Sequence, residues 1–293
     1  MGIILAILLF SAIIIIHELG HFLLAKANGI RVDEFSLGLG PTLFGKQFGE
    51  TKFSVKLLPF GGACMMGEDD VEDISEGSFN SKSVWARMSV IVAGPLFNLI
   101  LAWILCMIMI AWVGYRTPVV GGVIDGYSAQ EQGLSEGDVI TKIGGRSVHI
   151  WNDISLYNLT HSEEKEVEIT YKRDGKTHTA VLEPRQKEGD TAPLLGVTGG
   201  KMERPGFFGT LKYGAYTVKY WIDYTVDSLR MLVTGRVGMK DLSGPVGIVS
   251  AVDGVYQEAA PAGLSVIILN LMNIGILITA NLGVMNLLPL PAL

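Results

Sequence analysis

The chain has 293 residues, of which 18% are charged and 49% are hydrophobic, and its formal net charge is −6. The high apolar content excludes a disordered chain, and the acidic balance argues against a nucleic-acid-binding protein. Two cysteines, Cys64 and Cys106, are too few for a disulfide-rich secreted scaffold, and their apolar surroundings predict free thiols. The composition is therefore that of a membrane protein with polar modules.

Residues 1–25 predict the first transmembrane helix. The first 16 residues carry no charge, and the apolar run is long enough to cross a bilayer. A signal peptide is the alternative, but it needs a basic start and a small-residue cleavage site, and the sequence has neither.

The motif His17-Glu18-Leu19-Gly20-His21 lies near the end of this span. Positions i and i+4 share one face of a helix, so both imidazoles can reach one metal ion, and Glu18 can act as a general base toward water. Ionisable side chains inside a membrane span usually have a function, which favours a metal site. The alternative is that these side chains have no such role and only extend from the helix end to the cytoplasmic interface. The motif predicts a zinc site that needs one further protein ligand.

Residues 26–84 form a predicted cytoplasmic loop with a membrane-associated β-hairpin. The alternation that begins at Thr51 is typical of a half-buried strand, and glycines punctuate the segment as turns. The acidic run that begins at Glu68 predicts a solvated linker. Lys and Arg are concentrated between the first two spans, which places this loop in the cytoplasm and the N-terminus outside.

Residues 85–115 predict a second span, because positions 88–115 contain no charged side chain. Residues 117–186 then read as a small extracytoplasmic α+β domain with several strands and a hairpin turn at 173–176. This domain holds the three remaining histidines, which we expect to be surface residues: His149, His161 and His178.

The last third of the chain holds two more predicted helices. A polar linker is expected over 184–205, and residues 206–233 predict an amphipathic helix with an aromatic face that lies in the membrane interface. Residues 259–293 contain no charged side chain and predict a third span. The expected fold is thus a polytopic α-helical membrane protein with a β-hairpin and an inserted domain.

These motifs together resemble the site-2 protease family of intramembrane zinc metalloproteases, in its bacterial branch that cuts anti-sigma factors. The inserted domain resembles a single PDZ domain. The resemblance covers nearly the whole chain and is carried by the motif at 17–21 and by segments 35–41, 58–62, 66–68, 93–98, 243–248 and 281–293.

The resemblance implies that His17 and His21 bind Zn²⁺ and that Glu18 is the catalytic base. It also points to Asn281 and Asn286 as groups that bind the substrate backbone. The family's third zinc ligand is an aspartate in a Leu-Asp-Gly motif, which would follow Leu293, and a fourth span would follow that. We therefore expect the printed chain to be truncated and inactive as it stands.

The predicted function is hydrolysis of peptide bonds in transmembrane segments of other membrane proteins, such as anti-sigma factors or signal-peptide remnants. The partners are these substrates and the lipid bilayer of a bacterial cell, and the ligand of the PDZ-like domain is not identified. The strand edge at 51–58 could hold an unwound substrate by β-augmentation.

Three alternatives stay open at this point. A catalytically silent scaffold would use its PDZ-like domain to bind extracytoplasmic C-termini, and a metal transporter would use the intramembrane histidines. Glu68, Asp69 or Asp70 could replace the missing ligand, although a flexible acidic linker is a poor source of a fixed ligand.

Overall fold

The structure is a computed structural model that describes residues 2–67, 74–186, 193–238 and 244–288. The chain divides into two compact units, one made of residues 1–105 with 238–293 and the other of residues 106–237.

Helices form most of the first unit. They are α1 (Gly2–Ala27), the first part of α2 (Val84–Val113), α6 (Pro245–Ala259) and α7 (Leu264–Met285). Among the described residues, α1, α2 and α7 are the helices long and apolar enough to cross a membrane. They occupy most of the ranges expected for the three spans.

The third apolar helix begins later than residue 259. A short 3₁₀ turn at Ala260–Ala262 follows α6, and Gly263 has a φ of +97° before α7 begins. Pro261 cannot continue the hydrogen-bond ladder of α6, and a glycine adopts positive φ without strain. The chain therefore turns at residues 260–263, where the sequence predicted the start of a continuous third span.

The hairpin consists of β1 (Glu34–Phe48) and β2 (Thr51–Met65), and both strands bend back on themselves. Phe35 pairs with both Phe53 and Cys64, whereas residues 42–48 pair with residues 51–56. The two strands therefore supply four segments side by side, in the order 42–48, 51–56, 34–37 and 62–65. The two outer segments are the edges of this sheet.

An apolar core joins the base of the hairpin to α1 and α2. Phe22 on α1 lies 5.4 Å from Phe35 and 5.7 Å from Phe53, measured between ring centroids. Val90 of α2 and Cys64 of β2 are buried in the same cluster. This core attaches one end of the sheet to α1, which carries the two histidines of the motif, and to α2.

The second unit contains the inserted domain. Its main sheet has the order β6-β5-β7-β8, formed by Arg146–Ser147, Val139–Ile143, Val167–Arg173 and Lys176–Leu182. The helices α3 (Ser128–Glu131) and α4 (Trp151–Thr160) belong to the same unit, and its core includes Ile140, Ile154, Ile169 and Leu182.

The domain extends past the expected boundary at residue 186. β9 (Val197–Gly199) pairs with β4 (Val120–Val123), and β10 (Met202–Glu203) pairs with β3 (Tyr115–Arg116). Leu195 is 2% exposed inside the core. The expectation of a polar linker over 184–205 is therefore wrong for residues 193–203, because a buried leucine and two strand pairings tie them to the domain.

Helix α5 (Phe207–Val233) uses its aromatic face for packing within this unit. Tyr213 stacks on Tyr115 and Tyr216 stacks on His149, each with ring centroids 3.8 Å apart. These tyrosines predicted an interfacial helix, but they are partly covered by protein. The placement of α5 in the membrane interface stays a prediction.

Replacement of Gly199 by alanine tests the packing that closes the domain. A Cβ at this position would lie 2.0 Å from the ring of Trp151, whereas one at Gly121 would meet its nearest atom at 3.6 Å. We expect Gly199→Ala to lower the free energy of unfolding by about 1–3 kcal/mol, as overpacking does. Thermal unfolding of both variants measures it, and equal stability of Gly199→Ala and Gly121→Ala would contradict the packing.

Candidate functional site

His17 and His21 lie on one face of α1, and their side chains converge. Their Nε2 atoms are 3.2 Å apart. Two nitrogens bound at about 2.0–2.1 Å to one tetrahedral zinc ion lie about 3.3–3.4 Å apart. The spacing of the two imidazoles therefore fits two ligands of a single zinc ion.

Helix α2 holds the far side of each imidazole ring. His21 Nδ1 lies 2.8 Å from the carbonyl oxygen of Val90, and His17 Nδ1 lies 3.1 Å from Nδ2 of Asn98. A carbonyl oxygen only accepts, so Nδ1 of His21 carries the hydrogen and Nε2 keeps its lone pair. His21 is therefore held in the tautomer that a metal needs.

Two glycines make the close approach of the helices possible. A Cβ on Gly20 of α1 would lie 2.5 Å from the carbonyl oxygen of Ala93 on α2. A Cβ on Gly94 would lie 2.3 Å from Nε2 of His21 and 2.7 Å from Nε2 of His17. The missing side chain of Gly94 leaves open the space that both imidazoles face, which fits a bound ion.

Glu18 borders a cavity of about 370 Å³ that His21 also lines. The outer segment 62–65 of β2 also contributes Gly62 and Cys64 to the lining. A Cβ on Gly62 would meet Cγ of Glu18 at 3.4 Å. The carboxylate of Glu18, the imidazole of His21 and the outer segment of β2 therefore border the same space.

The expected edge at 51–58 is wrong in position. Residues 53–55 pair on one side with β1 residues 35–37 and on the other with the outer part of β1, where Phe44 pairs with Val55. A segment flanked on both sides cannot accept another strand. The outer segment of the sheet that lies beside Glu18 is residues 62–65.

The described residues contain no cluster of three or more His, Cys, Asp or Glu side chains placed to hold a metal ion. The candidates Glu68, Asp69 and Asp70 lie outside the described residues, as does the chain end at 289–293 where the family's third ligand was expected to follow. The described part of the site thus consists of two imidazoles and a carboxylate.

Asn281 and Asn286 lie near the end of α7. Asn281 is half-buried, and Asn286 is exposed at the helix C-terminus. At 100° per residue, five positions separate the two side chains by about 140° around the helix. The two amides therefore do not share one face of α7.

The other candidate groups are accounted for by local contacts. Cys64 and Cys106 are free and buried, which confirms the prediction of free thiols. His149, His161 and His178 each stack on a tyrosine ring. Of these three histidines, His178 is exposed as expected and the other two are half-buried.

Sequence reasoning missed the α2 groups that orient the site. Asn98, Gly94 and the Val90 carbonyl contact the histidines, although the segment 93–98 was recognised only as part of the family resemblance. A buried asparagine in an uncharged span, 0% exposed here, was the signal that could have drawn attention to it.

Comparison with known proteins gives three findings. The sequence pattern of peptidase family M50 matches residues 5–293. A Clostridium acetobutylicum protein named as a zinc metalloprotease is 39% identical, over 100% of this chain and 84% of the relative. The Bacillus subtilis regulator of sigma-W protease RasP is 30% identical, over 98% of this chain and 86% of the relative.

A search of solved structures matches the PDZ domain of an SdrC-like protein from Listeria monocytogenes. The match has 26% identity and a TM-score of 0.25, and it covers 29% of this chain and 88% of that one. A TM-score this low carries no structural argument.

Replacement of Gly94 by alanine tests the space in front of the imidazoles. The new methyl group would lie where the two Nε2 atoms converge, so zinc content should fall to that of His21→Ala. Gly254, where a Cβ would meet nothing within 4 Å, supplies the control variant Gly254→Ala. Metal analysis of the purified proteins measures this, and a Gly94→Ala protein that retains full zinc would refute the assignment.

Proposed function

Since the chain belongs to peptidase family M50, the site-2 protease family, we propose that it is a zinc endopeptidase that cleaves transmembrane segments of other membrane proteins. One observation carries the proposal. Two imidazoles converge at the spacing of a zinc site, beside Glu18, on a helix long and apolar enough to cross a bilayer.

His17 and His21 would hold the zinc ion through their Nε2 atoms, with a third ligand from outside the described residues. When bound, zinc supplies Lewis-acid chemistry that activates water and polarises the scissile carbonyl group. A carboxylate oxygen of Glu18 takes a proton from the attacking water and then delivers it to the leaving amide nitrogen. The backbone carbonyl of Val90 fixes His21 throughout.

The substrate must be extended at the point of cleavage, because the carbonyl groups of a helix are already hydrogen-bonded. The outer segment 62–65 lies next to Glu18, so we propose that an unwound segment of substrate pairs along it as an added strand. We also propose that Asn281 and Asn286 contact the substrate backbone, from different sides of α7.

We place the protein in a bacterial cell membrane, which it crosses several times. The positive-inside distribution puts the N-terminus outside, the catalytic end of α1 toward the cytoplasm and the PDZ-like domain outside the cell membrane. Exposed apolar side chains on the hairpin, such as Leu43, Phe44 and Phe48, support its association with lipid.

The proposed substrates are membrane proteins such as anti-sigma factors or signal-peptide remnants. The printed name of the Bacillus subtilis relative, a regulator of sigma-W, favours the first class. The PDZ-like domain is proposed to restrict substrate access and to take no part in the chemistry. The alternative of a catalytically silent scaffold is less well supported, because the proposed base Glu18 lies beside the proposed metal ligands.

Replacement of Glu18 by glutamine separates catalysis from metal binding. The amide keeps the size of the side chain but cannot take the proton, so cleavage of a model transmembrane substrate should fall by about 10²–10⁴-fold or more. Zinc content should stay at the level of the unmodified protein. Near-normal cleavage by Glu18→Gln would remove the base assignment.

Photo-crosslinking tests the substrate edge. Met65 is 49% exposed on the segment beside Glu18, and Gln47 is exposed on the opposite edge of the same sheet. We expect a photoreactive benzoylphenylalanine at Met65, in the Glu18→Gln protein, to crosslink to a transmembrane substrate. The same group at Gln47 serves as the control, and equal crosslinking at both positions would argue against strand addition at 62–65.

A further inference from the structure

We propose that Asn98 is a positioning residue for the metal site. In the zinc-loaded protein its side-chain amide turns so that Oδ1 accepts a hydrogen bond from Nδ1–H of His17. This inference rests on the metal site of the proposed function and adds to it the group that orients the first ligand.

The hydrogen bonds of the structure form one consistent chain. Nδ2 of Asn98 donates to Nδ1 of His17 at 3.1 Å, and Nε2–H of His17 donates to Nε2 of His21 at 3.2 Å. Nδ1–H of His21 then donates to the Val90 carbonyl at 2.8 Å. Each donor in this series meets an acceptor, whereas Oδ1 of Asn98 has no hydrogen-bond partner among the described residues.

Binding of a metal ion requires different hydrogen bonds only at the His17 end of this series. Both Nε2 atoms must offer lone pairs, and the Val90 carbonyl already ensures this for His21. His17 must instead carry its hydrogen on Nδ1. Nδ1–H then needs an acceptor, and the only side-chain acceptor that Asn98 can present there is Oδ1.

The surroundings of Asn98 permit this turn of the amide. The residue is 0% exposed, and Oδ1 is buried without a hydrogen-bond partner among the described residues. Rotation by half a turn therefore breaks only the bond from Nδ2 to Nδ1 of His17, and the bond that Oδ1 accepts from Nδ1–H replaces it. The backbone stays in place, because Thr279 Oγ1 of α7 donates to the Asn98 carbonyl at 3.1 Å.

A fixed acceptor behind a ligating imidazole selects its tautomer and orientation, and the loss of such a partner typically lowers metal affinity by 10–100-fold. Asn98 differs from the Val90 carbonyl because its amide can donate to His17 in the metal-free protein and accept from His17 in the metal-loaded protein. The metal-free and metal-loaded sites can therefore each be fully hydrogen-bonded at His17.

The test is a zinc titration of the full-length protein in detergent, by competition with a chromophoric chelator. Asn98→Leu and Asn98→Ala remove the acceptor, and both should weaken zinc binding by about 10–100-fold. Asn98→Asp keeps an acceptor toward Nδ1–H and should bind zinc at least as tightly as the unmodified protein. Thr279→Val removes a neighbouring buried hydrogen bond without touching the imidazole and should leave affinity unchanged.

A purely structural role of Asn98 predicts the opposite order. A buried carboxylate would then harm the site more than leucine, and Thr279→Val would weaken zinc binding as much as Asn98→Leu. Either result overturns the inference, as does unchanged affinity in both Asn98→Leu and Asn98→Ala. Thermal unfolding of each metal-free variant identifies proteins that fail to fold, and one folded variant of the leucine and alanine pair is sufficient.

The unmodified protein and His17→Ala separate this inference from the proposed function. If the unmodified protein binds zinc no better than His17→Ala, the metal site itself is wrong and both proposals fall. If it binds zinc tightly and the Asn98 variants match it, only the role of Asn98 is lost.

Discussion

The close approach of α1 and α2 at Gly20 and Gly94 is the constraint on which the site depends. Small residues let two helix backbones come together where larger side chains would hold them apart. Here the approach brings the Val90 carbonyl and Asn98 within hydrogen-bond reach of two imidazoles on the other helix. Gly20 lies within the histidine motif itself, so the same five residues supply the proposed ligands, the proposed base and the packing contact.

The bent hairpin brings together a second set of parts. Because both strands fold back, the last segment of β2 becomes an outer edge and lies beside Glu18. The core around Phe22 and Phe35 attaches that end of the sheet to α1. Glu18 and the outer segment 62–65 are therefore both attached to neighbouring parts of α1, which limits how far they can separate.

Local rules explain what the sequence could predict. The two histidines share a face because helical spacing requires it, and the apolar runs are long enough to form the three long helices. The partners of the imidazoles lie 69 and 81 residues away along the chain, and no local pattern reveals them. The double pairing of Phe35 and the strand around Val197 likewise depend on tertiary packing, which overrode a composition typical of a linker.

The opposite edge of the hairpin sheet, residues 42–48, has a consequence for handling the protein. Phe44 is 75% exposed and Phe48 is 56% exposed on a segment that pairs on one side only among the described residues. Apolar edge strands of this kind are templates for intermolecular pairing, and Lys46 is the residue type that usually discourages it. Lipid that covers these rings would protect the edge, so detergents that leave the rings bare favour aggregation through the hairpin before the helices unfold.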